Sequence, residues 1–247
     1  MPLALNIWLY RNRWAKWVDQ FIVLSEFQKQ IMIECGLPAD KIVVKGNFVQ
    51  SIIPKNSTNQ TMRSGVVFVG RLSDEKGLKT LLRAWRILDE WHKEGGAPGG
   101  RALPARKMGC DAPLLTLIGD GVQRAEYEAL AKGLNVRFLG KLSHEQVLEE
   151  LAKAKLMVMP SEWWETFGLV VIEAAMCGTP SVVSDLGALP GIVAKLGVGK
   201  VFESGDADGL AVKIRDVLDG QSRIQEFKVD EFGEERNFKV LNEIYSA

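Results

Sequence analysis

Residues 155–184, KLMVMPSEWWETFGLVVIEAAMCGTPSVVS, decide the fold. A continuous apolar run at 155–160 is followed by a polar loop, an apolar helical pattern at 168–178 and a second apolar run at 180–184. Strands buried on both faces of a parallel sheet have continuous apolar sequences, because neither face meets water. The stretch therefore predicts a strand–helix–strand unit of an α/β domain.

The same alternation continues on both sides of this stretch. Further strands are predicted at 65–70, 114–119, 136–139 and 199–202, and further helices at 75–94, 122–133, 143–153 and 206–219. Ser143 and Gln146 have the spacing of a capping box at the start of one helix. Repeated strand–helix units with right-handed crossovers predict a doubly wound α/β domain with a parallel sheet.

Two strands at 20–25 and 41–47, with a helix running from Ser25 to Gly36 between them, precede this domain. Two strands cannot bury their faces alone, so they are expected to be the end of a larger sheet. A polar linker follows at 47–64.

The alternation of strands and helices is interrupted at 93–113 by a stretch rich in Gly, Pro and Arg, which predicts a surface insertion. The end of the chain predicts an amphipathic final helix, with Phe238, Leu241, Ile244 and Tyr245 at helical spacing.

The composition narrows the functional class. The 247 residues carry 31 basic and 31 acidic side chains, so nothing in the net charge favours nucleic acid. Three scattered cysteines and two histidines predict neither a disulfide framework nor a zinc site, and they fit a reducing cytosol. Residues 1–17 predict a packed amphipathic helix rather than a signal peptide; contact of their arginines and tryptophans with a membrane surface is the alternative.

Ligands of open α/β sheets bind at the carboxyl ends of the strands, so the loops that follow the strands hold the candidate site residues. Arg71 ends the strand at 65–70, and Lys76 lies at the start of the next helix. Two cations beside a helix N-terminus suit a phosphate or diphosphate. The alternative is a solvated basic pair.

Two other strand ends give weaker signals. Gly119 and Gly121 form a tight turn that a ligand can approach, and residues 140–142 can offer main-chain groups to a planar base. His144 is predicted to be a surface residue at a helix start rather than a catalytic one.

Two carboxylates flank the start of the helix in the opening stretch. Glu165 precedes the helix, and Glu173 lies about one and a half turns inside it among apolar neighbours. A buried carboxylate is costly unless it is paired, which makes Glu173 a candidate for binding ligand hydroxyls. Gly168 lets the backbone come close to a ligand. Cations at one strand end and carboxylates at another predict a ligand with both phosphates and hydroxyls, and a nucleotide sugar fits.

The motifs FVGRLSDEKG, LIGDG and ETFGLVVIE resemble the C-terminal domain of family 4 retaining glycosyltransferases of the GT-B fold. The similarity covers roughly residues 60–220 in consecutive order. Glu165 and Glu173 have the spacing of the E-x7-E motif of that family. An epimerase or phosphorylase of the same fold fits this motif less well.

The resemblance implies a role for each candidate residue. Arg71 and Lys76 bind the donor diphosphate and stabilise the leaving group, Glu165 faces the transferred sugar, and Glu173 accepts hydrogen bonds from the ribose. Further donor-binding positions are Phe167, Gly168 and Leu169 at the sugar, Gly140, Lys141 and Leu142 at the base, and Gly119. The family retains anomeric configuration and requires no metal or other cofactor.

The resemblance also implies a domain organisation. Residues 1–46 correspond to a remnant of the N-terminal GT-B domain, 47–64 to the hinge, 65–225 to the Rossmann-like nucleotide-sugar-binding domain and 226–247 to the crossover helix. Most of the N-terminal domain, with the acceptor site, is expected outside this sequence. A nucleotide-sugar-binding module, inactive alone or completed by a polypeptide that supplies the missing domain, is the alternative to a complete enzyme.

The expected partners are a nucleotide-sugar donor and a saccharide, lipid or small-molecule acceptor, without nucleic acid. The expected location is the cytoplasm, at the inner face of a membrane where peripheral contact exists. Trp163 and Trp164 either stack on a sugar or acceptor, or seal the cleft against the N-terminal domain; we favour the second role.

Overall fold

A computed structural model describes residues 16–49, 63–94, 113–197, 199–220 and 232–246. The predictions for most of the N-terminal helix, the linker and the insertion fall on residues 1–15, 50–62 and 95–112, which lie outside the described part of the chain.

The helices and strands alternate along the chain, as the sequence predicts. In chain order they are β1 (Phe21–Val23), α1 (Glu26–Glu34), β2 (Ile42–Val44), β3 (Val66–Val69), α2 (Leu78–Glu94), β4 (Leu115–Ile118), α3 (Arg124–Leu130), β5 (Val136–Gly140), α4 (His144–Lys153), β6 (Leu156–Met159), α5 (Leu169–Met176), β7 (Ser181–Ser184), α6 (Leu189–Leu196), β8 (Gly199–Phe202), α7 (Ala207–Leu218) and α8 (Glu234–Ser246).

The main sheet has six parallel strands in the order β5-β4-β3-β6-β7-β8. The chain runs outward from β3 to β5 and then returns to the other side of β3 to build β6, β7 and β8. The direction of winding therefore changes between β3 and β6, which is the position where open α/β sheets bind ligands. The predicted doubly wound parallel sheet is confirmed.

Apolar side chains fill the space on both faces of this sheet. Helices α4, α5 and α6 cover one face, and α2, α3 and α7 cover the other. Every residue of β4 and β6 is buried, which explains their continuous apolar sequences. Trp85 and Tyr127 are among the largest fully buried side chains, and burial of side chains of this size stabilises the fold by roughly 2–3 kcal/mol each.

Two helices differ from the sequence prediction. Helix α2 begins at Leu78 rather than at residue 75, because Gly77 adopts a left-handed conformation (φ 68°) after a 3-10 turn at Asp74–Lys76. Helix α6 was not predicted. Its proline lies in the first turn, where a missing N–H costs nothing, and Gly197 ends it with φ 69°.

The N-terminal segment forms a separate two-stranded parallel sheet of β1 and β2. Its core consists of Val23, Leu37 and Ile42. The Ser25 hydroxyl caps α1 and donates to the Thr166 carbonyl (2.8 Å), which joins this segment to the main domain. The predicted cap of α1 at Ser25 is confirmed.

The final helix α8 returns to the N-terminal segment. Asn237 donates to the Gly46 carbonyl, and the buried Val49 donates its N–H to the Phe232 carbonyl just before the helix (3.0 Å). The apolar stripe expected along α8 is only partly covered by the described residues: Leu241 and Ile244 are half-buried, whereas Phe238 is 62% exposed and Tyr245 80% exposed.

Candidate functional site

The loops that follow β3 and β6 meet at the point where the winding of the sheet changes. Glu162 donates its N–H to the Glu75 carbonyl (2.9 Å), and the Ser161 hydroxyl lies 3.2 Å from the same oxygen. A Cβ atom on Gly77 would lie 1.8 Å from the Pro160 carbonyl oxygen. The two loops are therefore in direct backbone contact, and only glycine fits at position 77.

Lys76 and Glu165 form an ion pair across this contact. The Lys76 Nζ atom lies 2.5 Å from Glu165 Oε1, and the side chains are only 18% and 17% exposed. The hydroxyl of the fully buried Ser161 also bonds Glu165 Oε1 (2.7 Å). An ammonium group has three N–H donors, so Lys76 can hold Glu165 and a ligand oxygen together. The sequence predicted both residues but not their pairing.

Arg71 lies on the solvent side of the same loop. Its side chain is 75% exposed and forms an ion pair with Glu75 (3.0 Å). An exposed pair of this kind contributes little to stability, so a ligand can recruit the guanidinium at small cost.

Glu173 lies inside the domain and contacts a histidine. Its side chain is 8% exposed, and its Oε1 atom lies 3.1 Å from His144 Nε2. Burial raises the pKa of Glu173, and the hydrogen bond and charge of His144 oppose this rise. His144 starts α4 and is half-exposed, as the sequence predicted for a helix-start residue. Sequence reasoning nevertheless missed its contact with Glu173, although the apolar neighbours of that carboxylate demanded a partner.

The ends of β3, β4 and β5 come together through glycines. Gly119 donates its N–H to the Gly140 carbonyl (2.8 Å), and a Cβ on Gly119 would lie 1.9 Å from the Gly70 oxygen. After β5 the chain continues through the exposed Lys141 and the partly buried Leu142 into α4. In the strand order, β4 and β5 lie on the side of β3 opposite β6, whose following loop carries Glu165.

The start of α5 places the remaining predicted donor-binding residues. Gly168 has φ 71°, and a Cβ there would meet the Leu189 side chain at 2.8 Å, so backbone geometry and packing require glycine independently of any ligand. Phe167 is buried and packs edge-to-face on Phe232 (6.2 Å, 66°), whereas Leu169 is 39% exposed.

The two tryptophans of the loop are exposed, Trp163 by 68% and Trp164 by 58%. The Trp164 ring also makes an edge-to-face contact with Phe27 of α1 (5.7 Å, 76°), so it touches the N-terminal segment.

A separate cleft of about 240 Å³ lies behind Phe167, between the N-terminal segment, α6 and α8. The cations Lys45, Lys195 and Arg236 line it. The sequence did not predict this cleft, because its walls come from five separate stretches of the chain.

The described part of the chain contains no group of three His, Cys, Asp or Glu side chains that could hold a metal ion. None of the helices described above is both long and apolar enough to cross a membrane.

Comparison with curated proteins gives a consistent class of relatives. Glycogen synthase of Mycobacterium tuberculosis is 34% identical over 164 residues, which are 65% of this chain and 35% of that protein. Sulfoquinovosyl transferase of Arabidopsis thaliana is 32% identical over 156 residues, 62% of this chain and 26% of the relative. The chain thus spans about a third of the length of these relatives.

Solved structures share the fold at lower identity. The Anabaena protein HepE, solved in complex with UDP, superimposes with a TM-score of 0.73 at 19% identity, over 100% of this chain and 69% of HepE. The lipopolysaccharide outer core galactosyltransferase WaaB, in its apo form, gives a TM-score of 0.68 at 23% identity, over 92% of this chain and 62% of WaaB.

The comparison with protein families covers the six-stranded domain and the segments that flank it. Residues 49–231 match the family described as glycosyl transferases group 1. Since this match includes most of the chain, the protein belongs to the glycosyl transferases group 1 family.

Proposed function

We propose that this chain provides the donor-binding part of a family 4 retaining glycosyltransferase, its C-terminal GT-B domain. The observation that carries the proposal is the Lys76–Glu165 ion pair, which brings a cation from the β3 loop and a carboxylate from the β6 loop to the crevice of the sheet. A nucleotide sugar presents phosphates and hydroxyls side by side, and this pair offers one partner to each.

The leaving group of the reaction is a nucleoside diphosphate, whose negative charge grows as the glycosidic bond breaks. Lys76 donates to its phosphate oxygens, and Arg71 closes on them from the solvent side. Cations positioned before the reaction stabilise this charge without reorganisation, which lowers the barrier. In this proposal the two cations replace a metal ion, and no cofactor takes part.

The carboxylates bind the two ends of the donor. Glu165, fixed by Lys76 and Ser161, accepts hydrogen bonds from the transferred sugar. In this proposal the main-chain N–H groups near Phe167, Gly168 and Leu169 also bind the sugar, since the first N–H groups of an α-helix lack partners within it. Glu173 accepts from the ribose, and the chain at 140–142 contacts the base.

The relatives guide the choice of substrate. UDP is bound by HepE, and the curated relatives are named as synthases or transferases of glycosyl groups. We therefore propose UDP as the first nucleotide to test and a saccharide or lipid as acceptor, with a polypeptide outside this sequence completing the acceptor side. The scattered cysteines support a reducing, cytoplasmic location. Peripheral contact at the inner membrane face is a separate part of the proposal.

Isothermal titration calorimetry with UDP, ADP and GDP tests the donor assignment. Lys76→Ala should weaken the affinity for whichever of these nucleotides binds by roughly tenfold to a hundredfold, because a hydrogen bond to a charged group is worth about 1.5–3 kcal/mol. Lys79→Ala is the matched control, since Lys79 pairs with Asp74 and Glu126. An unchanged affinity in Lys76→Ala would refute the phosphate assignment.

Transfer itself needs a separate measurement. Incubation with the matching nucleotide sugar and candidate acceptors, followed by NMR of the anomeric proton, should show a product with the anomeric configuration of the donor. An inverted product would exclude retention. Donor binding without transfer to any acceptor would identify a nucleotide-sugar-binding module.

A further inference from the structure

We propose that His144 is a positioning residue of the donor site, whose Nε2–H donates to Glu173 Oε1 and so holds this carboxylate as an acceptor for the ribose. The inference rests on the proposed function, in which Glu173 binds the ribose hydroxyls. It adds a residue that the motif does not contain.

The backbone fixes His144 opposite Glu173. His144 is the first residue of α4, directly after a complete capping box in which Ser143 and Gln146 exchange side-chain and backbone hydrogen bonds. This cap fixes the first turn of α4 and thereby the direction in which the His144 side chain projects from it. The ring nitrogen Nε2 lies 3.1 Å from Glu173 Oε1, a normal hydrogen-bond distance.

The exposures of the two side chains differ in a way that suits this role. The Glu173 side chain is 8% exposed and the His144 side chain 47%, so solvent reaches the histidine but hardly reaches the carboxylate. With Oε1 bound to His144, the second oxygen Oε2 remains to accept from a ligand, since a carboxylate has two acceptor oxygens. The histidine thus orients the carboxylate.

Burial alone would make Glu173 a poor acceptor. It raises the pKa of Glu173, which favours the protonated form that presents an O–H instead of a second acceptor. The hydrogen bond from His144 works in the opposite direction. Both the imidazolium and the neutral tautomer with a proton on Nε2 can donate this bond.

Other charged groups around α5 lie elsewhere. Cys177, one turn after Glu173, has a thiol whose pKa burial raises to about 11, and it stays neutral. Arg63 binds main-chain carbonyls at the far end of the helix, and Lys195 of α6 lines the separate cleft. Strands β6 and β7, which pack on α5, consist of LMVM and SVVS and carry no charge. Within the described residues, His144 is the group whose hydrogen bond and charge favour the ionised Glu173.

The experiment compares His144→Phe, which fills the space without a donor, with His144→Gln, which keeps a neutral N–H donor. The affinity for the bound nucleoside diphosphate is measured by calorimetry from about pH 5 to 8, the range in which histidine chemistry operates. His144→Phe should weaken binding roughly threefold to tenfold at neutral pH, the effect of one lost hydrogen bond. His144→Gln should restore most of the neutral-pH affinity.

The pH dependence separates positioning from a merely structural effect. In His144→Phe nothing opposes the raised pKa of Glu173, so the carboxylate protonates at a higher pH and affinity should start to fall earlier as the solution is acidified. Lost helix stability would weaken binding by the same factor at every pH. A pH-independent ratio of wild type to variant would therefore overturn the inference.

A 2′-deoxy nucleotide provides the second arm. Removal of the 2′-hydroxyl and the His144→Phe substitution each weaken binding. If His144 acts through Glu173 on the ribose, the loss of binding free energy when both changes are combined should be smaller than the sum of the two separate losses. Strictly additive losses, or a His144→Gln variant as weak as His144→Phe, would overturn the proposal.

The failure of this inference is distinguishable from failure of the proposed function. If none of UDP, ADP and GDP binds the wild type, or if Glu173→Gln leaves affinity unchanged, the donor assignment itself is wrong. If Glu173→Gln weakens binding and His144→Phe does not, only the role of His144 is refuted. Circular dichroism melting of each variant confirms that the compared chains are folded.

Discussion

Gly77→Ala tests whether the two loops of the site are held together by backbone contact. The new Cβ would lie 1.8 Å from the Pro160 carbonyl oxygen, whereas carbon and oxygen ordinarily approach to about 3.3 Å. Neither atom is at the end of a flexible side chain, so the β3 and β6 loops must move apart. The hydrogen bond from the Glu162 N–H to the Glu75 carbonyl, which joins the two loops, then lengthens or breaks.

The magnitude follows from these parts. A non-glycine residue at φ 68° costs roughly 1–2 kcal/mol, and the lost hydrogen bond costs about 1 kcal/mol. The free energy of unfolding in urea should therefore fall by roughly 2–3 kcal/mol. Nucleotide affinity should fall as well, because Lys76 precedes the altered position and Glu165 lies on the displaced loop.

Gly133→Ala is the matched control. Gly133 has φ 85°, but a Cβ there would meet nothing within 4 Å, so only the cost of the backbone conformation applies, about 1–2 kcal/mol. The difference in unfolding free energy between the two variants therefore measures the cost of the clash with Pro160. If Gly77→Ala and Gly133→Ala lose the same stability, or if Gly77→Ala binds nucleotide normally, the contact between the loops does not build the site.

Three further changes probe helix α5, which carries Glu173, and the residues at its end. Arg63→Ala should lower the unfolding free energy by roughly 3 kcal/mol, because three acceptors, the carbonyls of Cys177 and residue 178 and the hydroxyl of residue 179, each lose a donor worth about 1 kcal/mol; a loss below half of this value in urea titration would contradict the count. Glu173→Gln should raise the melting temperature at pH 7 while it weakens nucleotide binding. Because folding raises the pKa of Glu173, the protein loses stability as the pH rises from the unfolded-state pKa to the folded-state pKa of this carboxyl. At lower pH the carboxyl is protonated in both states, so the gain in melting temperature from Glu173→Gln must vanish in acid; an equal gain at all pH values would refute this explanation. In a Cys35→Ser, Cys110→Ser chain, Cys177 should react with a thiol reagent at pH 8 only after unfolding, because it is buried and its pKa is raised to about 11; fast labelling of the folded chain would exclude this.

The sequence predicted those features that depend on local pattern. The continuous apolar runs identified the strands of the main sheet, since a strand covered on both faces has no polar side. The cap of α4 at Ser143 followed from spacing alone. Helix α6 escaped prediction because Pro190 and Gly191 suggest a turn, although a proline in the first turn is compatible with a helix.

Pairings between loops required the strand order, which the sequence does not state. Lys76 and Glu165 are 89 residues apart and meet because β3 and β6 are neighbours, an order known only once the sheet is built. His144 and Glu173 are 29 residues apart on adjacent helices. The apolar surroundings of Glu173 indicate that its carboxylate needs a hydrogen-bond partner, but many polar side chains of the chain could serve as that partner. Only the packing of α4 against α5 identifies it as His144.

The two glutamates of the motif are thus held by different physical means before any ligand arrives. Glu165 is held by a cation and a hydroxyl at the crevice, whereas Glu173 is buried and depends on a histidine that solvent reaches. A preorganised acceptor saves the ligand the cost of ordering it. The pair Lys76–Glu165 is neutral as a whole, so its attraction for a diphosphate is short-ranged and specific in geometry. Arg71 is paired with Glu75 in the same way, so Arg71→Ala and Lys76→Ala each remove one positive charge and should reduce the association rate by similar factors. Because Lys76 is the more buried of the two cations, Lys76→Ala should raise the dissociation rate more than Arg71→Ala does, and the opposite order in stopped-flow binding would contradict this argument.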